Sequence, residues 1–312
     1  MVRRSVTAAL IAAGAVMLAA APMQVDARAP RSSPARTPTV TFTAAAMRHL
    51  VATASLAVSR DPLFLTAVVD PLVASSGGSV GVTLVELGGA TPITWSYGGS
   101  GVFVAASTYK LAALMMEAQG IASGATDPNG LVCFQDSDYE DGWYTDYADG
   151  ACYTRNELAY RAGHDSDNTA GHMLVRDVGG ADALNAWAAS YGAVDSVFFT
   201  DNTTTADDLA SLWSAEATGK LGGAAAQAWL YPLLTDTETE SGIPAGVGAT
   251  TVVHKTGTID AVDNDAALVV SGPNGAYVLT VMTDGLGGDA GWQLIATISS
   301  DVWAFEAARA AR

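Results

Sequence analysis

The sequence predicts a mixed α/β fold, α+β in arrangement. Both ends of the folded chain build a sheet-bearing lobe, and an all-helical lobe is inserted between them. Three observations carry this expectation. Short apolar runs bounded by Gly, Pro and Asn lie at 80–97 and again beyond Thr250. The stretch between, about 107–217, alternates helical patterns with turns. A closing segment then sets Trp292, Ile295, Ser299, Val302 and Phe305 at helical spacing.

The elements follow in order. Residues 1–27 read as a secretory signal: Arg3 and Arg4, an alanine-rich apolar run from Ala8 to Ala21, then Val25-Asp26-Ala27, where cleavage is expected. The run is short for a membrane span, so none is expected after cleavage, and the protein is read as secreted or extracytoplasmic. Residues 28–42, rich in Arg, Pro and Ser, read as a flexible linker. Residues 43–312 form the expected folded domain. It opens on an amphipathic helix over Thr43–Arg60 with Met47, Leu50, Val51, Leu56 and Val58 as its apolar members. Strands are expected at Val80–Leu87, ending on Gly88-Gly89, and at Ile93–Tyr97. A helix is expected over Ser107–Gln119, with Leu111, Leu114 and Met115 on one face. Further helices are expected at Asn168–Asp177, Ala181–Tyr191 and Asp207–Ala217, the last capped by Thr204 or Thr205. Strands return at Thr251–His254, Ala266–Val270 and Tyr277–Met282.

The net charge of −17 argues against nucleic acid and anionic lipid as partners. A monomer acting on a small molecule is expected, with no cofactor. The only cysteines, Cys133 and Cys152, are read as a disulfide, given an exported chain. It closes a loop of about twenty residues, stabilising by roughly 3 kcal/mol on a chain-entropy estimate.

The chemistry concentrates on lysine. The chain has only three, and two of them belong to short motifs: Ser107-Thr108-Tyr109-Lys110 and Lys255-Thr256-Gly257, with Ser166-Asp167-Asn168 between. Ser107 and Lys110 are three apart at a helix start and share a face. A serine hydroxyl needs a base to take its proton. A lysine serves when burial or a second cation lowers its pKa, and Lys255 is a candidate neighbour. The N–H of Ser107 at the helix start and that of Thr258 on the later strand are candidate halves of an oxyanion hole. In the second motif Ser166 and Asn168 are candidate substrate contacts, while Asp167 orders the turn; an N-cap composition of this kind also serves structure alone. From Leu221 to Ala308, Lys255 is the only Lys or Arg, so a cation there is placed for a purpose. It suits a substrate carboxylate, with Gly257 admitting close backbone approach.

The order S-x-x-K, S-D-N, K-T-G resembles the class A β-lactamase and penicillin-binding-protein superfamily. The likeness extends to Ser166-Asp167-Asn168-Thr169-Ala170, Thr203-Thr204-Thr205-Ala206-Asp207 and His254-Lys255-Thr256-Gly257-Thr258. It implies the DD-peptidase/β-lactamase-like fold, an antiparallel sheet flanked by terminal helices with the helical lobe inserted. It also implies roles: Ser107 the acylated nucleophile, Lys110 its base, and Ser166 a proton shuttle to the leaving nitrogen. Asn168 would hold the substrate amide, and Lys255, Thr256 and Thr258 its carboxylate. The expected activity is acylation by β-lactams or acyl-D-Ala-D-Ala-like peptides, with a D,D-carboxypeptidase and a slow-turnover penicillin sensor as alternatives.

Two departures bear on turnover. Class A β-lactamases carry a Glu-x-x-Leu-Asn loop whose glutamate activates the deacylating water, but no glutamate occurs here between Thr169 and Ala215. Asp195 or Asp201 is the available substitute, but a carboxylate one methylene shorter, in a loop (192–202) that is itself short, is a poor replacement. Without a positioned base the acyl-enzyme is expected to persist. The arginine that many class A enzymes place beside the third motif is also missing, so weak carboxylate affinity or a different leaving side is expected.

Other features are read as structural. Asp136-Ser137-Asp138 with Glu140-Asp141-Gly142 lacks EF-hand spacing and reads as a solvated acidic loop. Its Trp143, Tyr144 and Tyr147 are expected to border the cleft. His164, His172 and His254 lack the clustering that zinc needs, so no metal is expected. His254 is expected beneath the site. The G-x-S-x-G elbow of α/β-hydrolases is absent.

Overall fold

The computed structural model describes residues 58–311. The signal, the linker and nearly all of the helix expected over Thr43–Arg60 lie outside them; Val58, Ser59 and Arg60 are irregular. The first helix observed is α1, Leu63–Ser76, which the sequence reading did not assign. Pro62 precedes it and Pro71 sits inside it. A proline there removes an i→i−4 hydrogen bond and masks the pattern. Tertiary packing sustains the helix nonetheless: Phe64, Leu65 and Val69 are buried, and Phe64 stacks on Phe305 at 6.5 Å between ring centroids.

Five antiparallel strands form the sheet in the order β2-β1-β9-β8-β7. Their ranges are β1 Ser79–Glu86, β2 Thr94–Tyr97, β7 Val252–Ile259, β8 Val262–Gly272 and β9 Gly275–Asp284. The central strands are apolar on both faces because both are covered. Val80, Val82 and Leu84 of β1 and Tyr277, Leu279 and Val281 of β9 pack toward α1 and the closing helix α9, Asp289–Ala310. The alternate residues Val278 and Met282 join the second core, shared with the helical lobe. Period-two alternation of strand side chains thus divides the molecule into three layers.

The helical lobe comprises α2 Tyr109–Ala122, α3 Arg155–Gly163, α4 Asn168–Asp177, α5 Ala181–Ser190, α6 Ala206–Ala217 and α7 Gly223–Leu230, and so runs on past Ala217. A four-residue helix, α8 Ile243–Gly246, leads into β7. The three remaining strand pieces are short: β3 Phe103–Val104 pairs with β6 Thr203–Thr204, and β4 Leu131–Cys133 with β5 Cys152–Thr154. Cys133 and Cys152 face each other across β4–β5 and form a disulfide. The acidic loop that they close is only partly solvated. Asp138 is buried and paired through both carboxylate oxygens with Arg176, each at 2.8 Å. Arg161 lies over the Tyr144 and Tyr153 rings and grips Asp146 at 2.7 and 2.8 Å. Among the described residues no helix is long and apolar enough to cross a membrane.

Candidate active site

The three motifs arrive from three elements and meet where the helical lobe joins the sheet. Ser107 sits in a single 3-10 turn, Ala106–Thr108, that runs directly into α2. Ala106 adopts φ 47°, a left-handed conformation that costs a non-glycine residue of order 1–3 kcal/mol and persists only where surroundings enforce it. Asn202 helps enforce it, donating to the Ala106 carbonyl at 3.1 Å and accepting from the Ala105 N–H at 2.7 Å. One helical turn on, Lys110 is fully buried. Strand β7 packs its backbone against the same turn. A Cβ on Gly257 would stand 2.7 Å from the Ala105 oxygen, 2.9 Å from the Thr108 nitrogen and 3.0 Å from the Ser107 nitrogen, so only glycine lets the third motif approach the first.

The second motif enters from the loop before α4. Asp167 is its N-cap, accepting from the Ala170 N–H at 2.8 Å, and it also accepts from the Tyr147 hydroxyl at 2.6 Å and the Trp143 N–H at 3.1 Å. Ser166, at φ 61°, is a second left-handed residue, and that turn presents its carbonyl and hydroxyl to different lysines. Lys110 Nζ lies 2.5 Å from the Ser166 carbonyl oxygen, 2.8 Å from Asn168 Oδ1 and 2.9 Å from Ser107 Oγ. Lys255 Nζ lies 2.9 Å from Ser166 Oγ and 3.0 Å from the Thr256 carbonyl oxygen.

Electrostatics make this constellation reactive. Burial lowers the Lys110 pKa well below the ordinary lysine value, and the neighbouring Lys255 lowers it further, against a smaller opposing pull from Asp167 and Glu140. Lys255 is itself brought down to about 7 by burial, with Asp265 opposing. A neutral amine has two N–H groups and one lone pair. At Lys110 the two N–H groups match the two acceptors that have no proton to give, the Ser166 carbonyl and Asn168 Oδ1. The lone pair is left for the Ser107 hydroxyl to donate into.

The cleft, about 280 Å³, is lined by Ser107, Ser166, Asn168, Thr256, Thr258, Trp143, His164, Asp165, Glu238 and Thr239. Of the three aromatics expected at its border only Trp143 lines it. Tyr144 turns to Asp165 at 2.6 Å, and Tyr147 to Asp167, because their hydroxyls find carboxylates in the loop's own anchor. The hydroxyl of Thr258 donates to Asp263 at 3.0 Å, leaving the Thr256 hydroxyl as the third motif's side-chain donor lining the cleft, with the buried Lys255 amine behind Ser166 Oγ. Asp195 and Asp201 are exposed and do not line it. Their segment instead places Phe199, at φ 72°, against Tyr109 and His172, with ring centroids 5.7 and 4.9 Å apart. A larger groove, about 630 Å³ between β1 and α6, contains none of the motif residues.

Beneath the third motif lie two buried residues, His254 and Asp265, and a half-exposed partner, Glu240, that the motifs do not reveal. His254 places Nδ1 2.9 Å from Asp265 and Nε2 3.0 Å from Glu240. Burial disfavours its charged form, but the two carboxylates outweigh burial and raise its pKa from 6.5 to about 9. Glu240 thereby ties down the loop that carries Glu238 and Thr239 into the cleft. Because the folded-state pKa is the higher one, the stabilisation is full below pH 6.5 and is lost as pH rises through about 9. At 1.36 kcal/mol per unit this is about 3 kcal/mol. The lowered lysines act with opposite sign, so the difference between wild type and His254→Gln isolates the term. Denaturant titrations from pH 6 to 10 are expected to show that difference shrinking; a constant difference would overturn the assignment.

A sheet packed against a helical lobe, with a serine and a buried lysine in contact where they join, defines a serine hydrolase. The chain belongs to the β-lactamase enzyme family, whose model matches residues 65–305. Among solved structures, PBP-A is 28% identical with TM-score 0.71, covering 77% of this chain and 94% of that one. Its L158E mutant, solved as an acyl-enzyme complex with penicillin G, is 26% identical with TM-score 0.71, covering 77% and 95%. A β-lactamase from Sphaerobacter thermophilus is 27% identical with TM-score 0.69, covering 78% and 96%. No curated protein matches the sequence.

Proposed function

We propose that Ser107 is acylated by β-lactams and by acyl-D-Ala-D-Ala-like peptides, and that the acyl-enzyme is released slowly. The observation that carries the reading is the buried Lys110 amine at 2.9 Å from Ser107 Oγ, with both its other neighbours pure acceptors. The neutral amine takes the Ser107 proton as Oγ bonds to the carbonyl carbon. The N–H groups of Ser107 and Thr258 receive the oxyanion. As the C–N bond breaks, Ser166 gives its hydroxyl proton to the leaving nitrogen. The proton held on Lys110 then restores Ser166, directly or through Lys255. Asn168 donates to the substrate amide carbonyl, and Lys255 with Thr256 holds the carboxylate. An acyl-enzyme of the structurally similar PBP-A mutant with penicillin G supports the substrate class.

Slow release rests on Phe199 and on the two exposed aspartates: the 192–202 segment directs no carboxylate into the cleft. That favours a penicillin-binding or D,D-peptidase role over efficient antibiotic hydrolysis. The test is the lifetime of the penicillin adduct after excess ligand is removed. Survival for minutes to hours is expected, with little turnover of a chromogenic cephalosporin. Release within seconds would show that a deacylating base exists and would return the protein to the efficient β-lactamases. The reading also includes export: the apolar segment after Arg4 and the Cys133–Cys152 disulfide both fit an oxidising compartment outside the cytoplasm.

A further inference from the structure

Asn168 has both of its side-chain N–H donors taken before any substrate arrives. Its Oδ1 accepts from Lys110, and its Nδ2 donates to Glu140 Oε1 and to the Asp141 carbonyl oxygen, both at 3.1 Å. A primary amide has two N–H donors, so none remains for a substrate carbonyl until one contact breaks. The Asp141 carbonyl is main chain and stays. The Glu140 main chain is also fixed: its N–H donates to Thr169 Oγ1 at 3.0 Å, and that hydroxyl donates back to the Glu140 carbonyl at 2.8 Å. Only the Glu140 side chain is free to leave. It is 51% exposed, with Oε2 2.8 Å from His172 Nε2, so it can swing toward water without unfolding anything.

We propose that Glu140 is a specificity-determining residue, a resident competitor for the Asn168 donor that favours substrates carrying an amine beside the amide they present there. A neutral acylamino substrate displaces the carboxylate and leaves it without the Asn168 contact. A substrate with a cationic amine on the carbon next to that carbonyl brings its charge within a few ångströms of the displaced carboxylate, which pairs with it. Among the described residues no arginine lines the cleft to compete for Glu140, so His172 is the partner that an incoming amine must displace or join, and Asp165 and Glu238 on the rim carry the same sign. The carboxylate was passed over in the sequence because it lies in an acidic loop that reads as solvated.

This inference rests on acylation at Ser107. The test compares acylation rate constants for benzylpenicillin and its α-amino derivative, which differ at the carbon in question, in wild type, Glu140→Gln and Glu140→Ala. The wild type is expected to favour the amino compound about threefold or more, the range of one partly exposed ion pair. Glu140→Gln, which keeps the acceptor and removes the charge, brings the ratio to about one. Glu140→Ala does the same and also accelerates benzylpenicillin, because the competitor is gone. An unchanged ratio, or equal slowing of both compounds, would overturn the proposal, the latter by making Glu140 only a support for Asn168. A longer-lived adduct in Glu140→Ala would also overturn it, by assigning the carboxylate to deacylation. Failure of the wild type to form any Ser107 adduct would instead sink the acylation reading.

Discussion

Lys110→Met is expected to slow acylation by about 10²–10⁴-fold, the range that a positioned general base contributes. Methionine has a similar length and suits a fully buried site, so the variant removes the base without opening a cavity. It leaves two partly buried acceptors, the Ser166 carbonyl and Asn168 Oδ1, without their shared donor, at about 1 kcal/mol each, the low end of the range for an unpaired group. A domain with 5–15 kcal/mol of stability survives that loss. Stopped-flow acylation and a thermal melt separate the two effects. An acylation rate within threefold of wild type would remove Lys110 from the mechanism.

Gly257→Ala is expected to cut acylation by 10²-fold or more through geometry alone. The atoms that a new Cβ meets at 2.7–3.0 Å are all main chain, and they belong to the turn that holds Ser107. No rotamer change relieves that contact. The strand is also held from behind by its ladder with β8, where Gly257 faces Asn264, itself bonded to the Val104 and Ala105 carbonyls at 2.9 and 3.3 Å. The turn and β7 must therefore separate, at about 1–3 kcal/mol for overpacking. A displacement near 1 Å at reacting groups is enough for a hundredfold loss. The measured quantities are the acylation rate at saturating penicillin and the denaturation midpoint. A stable variant with wild-type acylation would show that the strand does not need this approach.

The sequence carried the fold and the motif residues to different depths. Strands β1, β7, β8 and β9 were legible because apolar runs end at Gly, Pro and Asn. The motifs were legible because lysine is so scarce that two of three in one pattern stand out. Helix α1 was not, since Pro62 and Pro71 obscure a segment that packing against the sheet and α9 sustains. Glu140, Glu240 and Asp265 were missed for a different reason. Each acts through a partner distant in the chain, Asn168 for the first and His254 for the others, and no local spacing encodes such pairs. Tyr144 and Tyr147 were placed at the cleft on proximity in sequence, but their hydroxyls turn to Asp165 and Asp167.

The central claim is that Ser107 is the residue that becomes acylated. Intact-mass spectrometry after mixing with benzylpenicillin, followed by peptide mapping beside a Ser107→Ala control, tests it most directly. One added penicilloyl mass on the peptide containing Ser107, absent from the control, is the predicted result. An adduct that persists in Ser107→Ala, or that maps to another residue, would contradict the account.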